Sequence, residues 1–224
     1  MYEKIIESFR KGLKKNLVAA IKFGTEGEPN NLLFVLRKLD FEVLETIKGF
    51  MEKDGKKLPV VPLFFTEQEL KQGSDVFPLE FLDIKQPHEL LYGIDIVNQI
   101  SFDKKHVRRQ LEFELRSKLI HLRENYIWIK TGEDLKKLLM SAVPSLMPLF
   151  YGMLFLKNTE APTELDSLFK EIANQYGIDI TILKKIRALK DTKVKVNDQD
   201  LQSYVNSLMI LLTKLIDIID KVKT

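Results

Sequence analysis

Apolar residues recur in two rhythms along this chain. Up to about residue 100 they form short runs, and from Asp103 onward they return every three or four residues. The runs NLVAAIKF, NLLFVL, LPVVPLFF and FPLEFLDI each have the length of a strand. The two prolines of the third suit an edge or a bulge. In the fourth, strand alternation would turn Glu80 and Leu82 one way and Leu79, Phe81 and Asp83 the other. Helices are predicted between these runs. Ile5, Ile6, Phe9 and Leu13 share a face over Glu3 to Lys15, and Val43, Leu44, Ile47 and Phe50 do so over Phe41 to Lys53, with Asp40 as N-cap. Thr66 and Glu69 form a capping-box signature opening TEQELKQG, and Asp75 reads as a turn residue.

Helical periodicity then covers Lys104 to Ile129, Glu133 to Leu156, Thr163 to Gln175, Ile180 to Leu189 and Asp198 to Val222. The breaks between them, KTG, KNTEAP, YGID and KDTKVKVND, carry turn and solvent residues. The fold class expected is therefore α+β: an α/β domain over residues 1–100 and an all-helical bundle over 101–224.

Composition narrows the chemistry. With no cysteine, disulfides, thiolate metal sites and cysteine nucleophiles are excluded. His88, His106 and His121 have no ligand spacing that would suggest a zinc hydrolase. A net charge of +3 is too small to imply nucleic acid by itself, and with no aromatic interleaving in its basic run the chain is not expected to bind it. The first fifteen residues alternate charge with Ile and Phe, unlike a signal peptide, and no apolar run approaches the roughly 18 residues of a membrane span. A cytoplasmic protein without a membrane is expected.

The order helix, strand, Gly-containing loop, strand, helix, then a run with an acidic residue resembles the nucleotidyltransferase superfamily that includes DNA polymerase beta and kanamycin nucleotidyltransferase. FPLEFLDIKQPHELLYG resembles that family's third-carboxylate strand, with Glu80 at the carboxylate position, and RRQLEFELRSKLIHLREN resembles the first helix of a following helical domain. The likeness covers about residues 1 to 130. It implies a Gly-Ser loop holding a triphosphate, here Gly24 and Thr25, and carboxylates holding Mg²⁺ on the strand that follows. Nucleotidyl transfer requires such hard oxygen ligands to offset phosphate charge. At the carboxylate pair, however, the chain reads Pro29, Asn30, Asn31. Neutral amides lose the compensating charge, so a degenerate active site is the first expectation, still able to bind a nucleotide in an interdomain cleft. Gly24 and Thr25 would then contact phosphate, and Arg116 and Lys118 would neutralise it.

Two other readings stay open. In one, Glu26, Glu28 and Glu80 form an unorthodox set for Mg²⁺ and the chain is an active transferase, with Glu80 catalytic. In the other, the chain is a structural or regulatory module whose helical domain meets a protein partner or a second copy. The segment SAVPSLMPLFYGMLFL, broken by Pro144 and Pro148, is dense enough in Leu, Met and Phe to fill a core or bury a subunit. Arg109, Arg116 and Arg123 recur every seven residues, interleaved with Glu112, Glu114 and Glu124, so helix ion pairs account for most of that charge. Lys184 to Lys195 reads as a solvated basic surface, His88 as a base or a cap, and Trp128 as a packing anchor between domains.

Overall fold

The computed structural model describes residues 2–24, 31–55, 58, 62–85, 87–191 and 194–224. The chain is α+β and divides into two compact units: Met1–Phe102 with Thr163–Leu165, and Asp103–Pro162 with Asp166–Thr224.

In the first unit, α1 (Glu3–Leu13) leads into β1 (Leu17–Phe23), which pairs antiparallel with β2 (Asn31–Leu36). After α2 (Phe41–Asp54), β3 (Leu63–Thr66) lies parallel to β2 on one edge. The short α3 (Glu67–Gln72) and α4 (Pro78–Lys85) precede β4 (His88–Gly93), antiparallel to β1 on the other edge, giving the order β3-β2-β1-β4. The central strands explain the continuous apolar runs, because both of their faces are covered. Leu17, Ala20, Leu32, Phe34 and Leu36 pack with Ile5, Phe9 and Leu13 of α1 and Ile47 of α2. Ala19, Ile21, Phe23, Leu33 and Val35 pack with Leu70 of α3 and Phe81 and Ile84 of α4. Phe9 stacks on Phe34 at 4.4 Å between ring centroids.

The predicted caps are present: Asp40 Oδ1 accepts from the Val43 N–H at 3.0 Å, and Thr66 and Glu69 exchange the bonds of a capping box. The fourth predicted strand is not. FPLEFLDI forms the helix α4, and the strand on that edge is HELLYG, the following segment. A short apolar run does not separate helix from strand by period, and Pro78 at the first helical position favours the helix.

The second unit is helical: α5 (Lys104–Trp128), α6 (Gly132–Leu156), α7 (Leu165–Tyr176), α8 (Thr181–Ala188) and α9 (Asp198–Asp220). Val107, Leu111, Leu115, Leu119 and Leu122 bury one face of α5, and Leu201, Val205, Leu208, Leu212 and Leu215 bury one face of α9. Two arginines of α5 close the end of α9. Arg108 donates to the carbonyls of Ile219 at 3.2 Å and Asp220 at 3.1 Å, supplying positive charge where a helix C-terminus leaves carbonyls unpaired.

The Met/Phe-rich segment runs as one helix, α6, through Pro144 and Pro148. It is long and apolar enough to cross a membrane, contrary to the sequence reading, yet 56% of its apolar window is buried inside the structure, as in a core helix. Its apolar surface is therefore largely committed to the core, with Phe150 crossing Phe169 of α7 edge to face at 6.0 Å.

Candidate functional site

The loop singled out by sequence begins at Gly24, whose φ of +128° is accessible chiefly to glycine. Its N–H donates to the Pro87 carbonyl at 3.4 Å, tying the end of β1 to the start of β4. Thr25, Glu26 and Glu28, expected to hold phosphate or metal, lie outside the described residues, as do Pro29 and Asn30. The far shoulder of the loop is described: β2 starts at Asn31, directly across from Phe23, and His88 flanks Phe23 on its other side.

His88 and Asn31 are the polar residues in register with Phe23, and both ring nitrogens of His88 are engaged. Nδ1 lies 2.8 Å from the Lys85 carbonyl and Nε2 lies 3.1 Å from Asp95 Oδ2, with 9% of the side chain exposed. Both neighbours are acceptors, and the ring donates from whichever nitrogen carries a hydrogen. Asp95 also accepts from the Asn98 backbone N–H at 3.1 Å and from the Asn98 side-chain amide at 2.6 Å. Burial, the largest single influence on the Asp95 carboxyl, pushes its pKa up. Hydrogen bonds from His88 and Asn98 together outweigh it and hold the group below the usual carboxylate value. The pair clamps β4 to the 3-10 turn at Val97–Gln99, a structural use that leaves His88 without a free nitrogen. Sequence reading singled out His88 but not Asp95, because nothing in YGID marks the aspartate as a partner.

Glu80 stands in the first turn of α4, not on a strand, and it is exposed. This reverses its relation to Asp83. Strand alternation would have parted the two carboxylates, whereas three residues along a helix places them on one side. Burial, and then the charge of Glu80, raise the Asp83 carboxyl to about 7. Among the described residues, no three His, Asp or Glu side chains gather as metal ligands.

Arg116 and Lys118 belong to α5 in the second unit, and both are engaged there. Arg116 Nη2 lies 2.6 Å from Asp220 Oδ2 and 3.3 Å from Glu112 Oε1, so its charge joins α5 to α9. Lys118 pairs with Glu114 at 3.8 Å. It also lines a groove of about 360 Å³ with His121, Asn125 and Ser141, floored by Leu146 and Leu212.

The outer face of α5 carries a feature absent from the sequence reading. Phe113, Ile120 and Ile127 repeat every seven residues and are 66%, 51% and 76% exposed, with Trp128, expected to anchor packing, 81% exposed beside them. Arg109, Arg116 and Arg123 fall three or four residues from each, so arginines and apolar residues alternate along one seam opposite the buried leucines. Arg109 and Arg123 make no ion pair among the described residues. The heptad spacing of the arginines was visible in sequence; that the apolar residues between them stay outside the core was not.

Compared with known proteins, this chain matches no family model and no curated protein.

Proposed function

We propose that this chain is a nucleotidyltransferase-like protein with a degenerate active site, which binds a nucleotide or a partner and has lost, or all but lost, nucleotide transfer. The observation that carries this reading is at the start of β2. Where the resembled family places metal-holding carboxylates, this strand opens on Asn31, an amide, opposite Phe23. An amide oxygen brings no charge to offset a dication beside phosphates. On the neighbouring strand Phe23 is flanked by His88, and Asp95 is held by His88 and Asn98. The order helix, strand, Gly-containing loop, strand, helix at the start of the first unit and the positive φ of Gly24 support the family resemblance, whereas FPLEFLDI, resembling its third-carboxylate strand, is a helix. Cytoplasmic placement belongs to the same reading.

The test is metal-dependent pyrophosphate release from nucleoside triphosphates with Mg²⁺ or Mn²⁺, beside calorimetry of nucleotide binding. No release is expected. Release that disappears in Glu80→Gln would overturn degeneracy in favour of the active enzyme.

A second reading, an interaction module, is favoured by the α5 seam. Its occupant is an acidic amphipathic helix of another protein, whose carboxylates would meet Arg109 and Arg123 while its apolar residues cover Phe113, Ile120 and Ile127. A second copy in parallel fits less well, because it sets each arginine row against itself. A synthetic Glu-rich heptad peptide should shift Trp128 emission to shorter wavelength; no shift, or a chain that sediments as a dimer through this face, counts against it.

A further inference from the structure

The opposite end of β1 from Gly24 gathers positive charge. Arg10 and Lys14 at the end of α1, Lys15, Arg37 just after β2, and Tyr92 of β4 line an open concavity of about 460 Å³ above Leu17. Among the described residues, no carboxylate lines it. The seven residues of β1 separate it from the Gly24 loop by about 20 Å, at roughly 3.3 Å per residue, so it is independent of the site discussed above.

One of the four cations, Arg37, is held in place by the backbone beside it. Arg37 Nε donates to the Lys15 carbonyl at 2.9 Å, which fixes the guanidinium; its outer nitrogens have no partner among the described residues. The Arg37 N–H donates to the Asn16 carbonyl at 2.9 Å, and the Asn16 side chain exchanges bonds of 3.0 and 2.9 Å with the Lys38 backbone. These bonds lace the α1–β1 turn to the end of β2. Arg10 lies over the Tyr92 ring at 5.9 Å and shares Glu7 with Lys11, at 3.5 and 3.3 Å. Lys14, Lys15 and Arg37 make no ion pair among the described residues. Lys14 has φ of +48° and ψ of −121°, a conformation that side chains other than glycine rarely adopt. Three of these four like charges, Lys14, Lys15 and Arg37, converge without a counter-charge among the described residues, one of them on strained backbone, an arrangement suited to an anion that arrives from outside.

We propose that this concavity binds a linear chain of phosphates, as found in a nucleoside triphosphate or in inorganic polyphosphate. Four cations around one opening match several linked negative charges better than a single phosphate, and arginine presents a fork suited to phosphate oxygens. Nucleic acid fits less well, because the cations close around one hollow with one aromatic ring instead of tracking along a stripe.

Calorimetry with tripolyphosphate, ATP and adenosine, without metal and at low ionic strength, tests this directly. Tripolyphosphate and ATP should bind and adenosine should not. Equal affinities would assign the site to the phosphate chain alone, and tighter ATP binding would add a contact between the base and Tyr92. Lys15→Gln with Arg37→Gln should weaken binding by about tenfold or more, whereas Lys184→Gln with Lys185→Gln, the same charge change on α8, should leave it within about twofold. Lys14→Gly should bind more weakly while melting at a higher temperature, since it removes both a cation and the backbone strain. Absence of binding, or equal weakening by the α8 variant, would overturn the proposal.

Discussion

Glu80 and Asp83 stand one helical turn apart on the same side of α4, and the second carboxyl is lifted to about 7, by burial first and by the charge of Glu80 next. Because the folded value lies above the unfolded one, the native state holds this proton between about pH 4 and 7 while the unfolded chain releases it. Stability from this group is thus complete below about pH 4 and falls as pH rises toward 7. Asp83→Asn should flatten that slope and raise stability at pH 8 by up to about 4 kcal/mol, since the carboxyl rises from 3.8 to about 7 and each pKa unit is worth roughly 1.4 kcal/mol. Urea melts across pH 4 to 8 check it; an unchanged slope in the variant would place the proton elsewhere.

The same helix shows where sequence was legible and where it was not. Caps declare themselves locally, so Asp40, Thr66 and Glu69 were readable from residue type and spacing. The long helices of the second unit were readable because their apolar positions repeat over many turns. Residues 77–84 offered too short a run for either period to win, and the error carried Glu80 onto the wrong element. HELLYG went unrecognised as a strand because it is a half-exposed edge with few buried side chains. For the site, Gly24 and Asn31 follow from the chain itself, but the concavity of Arg10, Lys14, Lys15 and Arg37 assembles from residues 27 positions apart that only sheet register brings together.

His88 and Asp95 should behave as a structural clamp. His88→Ala leaves the partly buried Asp95 without its ring partner and should cost about 1–3 kcal/mol, the range for an unsatisfied buried group. The depressed Asp95 carboxyl predicts an acid effect of the opposite sign to Asp83. Its contribution is present above the unfolded carboxylate range and is lost as pH falls through the lower folded value. Asp95→Asn should therefore lose less stability on acidification than the parent. A pH melt series below pH 5 measures this, and parallel curves would contradict it.

On α5, two faces should respond in opposite ways to substitution. Leu115 is fully buried, so Leu115→Ala should destabilise by about 2–5 kcal/mol through a cavity. Ile120, half exposed on the outer seam, should tolerate Ile120→Glu within about 0.5 kcal/mol in the isolated protein. Trp128 is the one tryptophan in the chain, so its emission reports that seam without interference. The free protein should emit at the long wavelength of a solvated indole and be quenched readily by iodide. Loss of stability in Ile120→Glu comparable to Leu115→Ala would mean that the seam is already occupied in solution.

Gly93 closes β4 with φ of +84°, and a Cβ there would lie 1.9 Å from the Val18 carbonyl oxygen on β1. Gly177, after α7, has φ of +61° but nothing within 4 Å of an added Cβ. The two glycines share a backbone preference and differ in space, which separates the two costs of substitution. Gly177→Ala should lose about 1 kcal/mol, the conformational penalty alone. Gly93→Ala must also push β4 away from β1, where Gly93 lies across from Ala19, and should lose at least about 2–3 kcal/mol. Denaturant melts of the two variants read the difference. If they fall together, β4 yields at its edge without cost, and the approach of Gly93 to Val18 does not hold that strand in place.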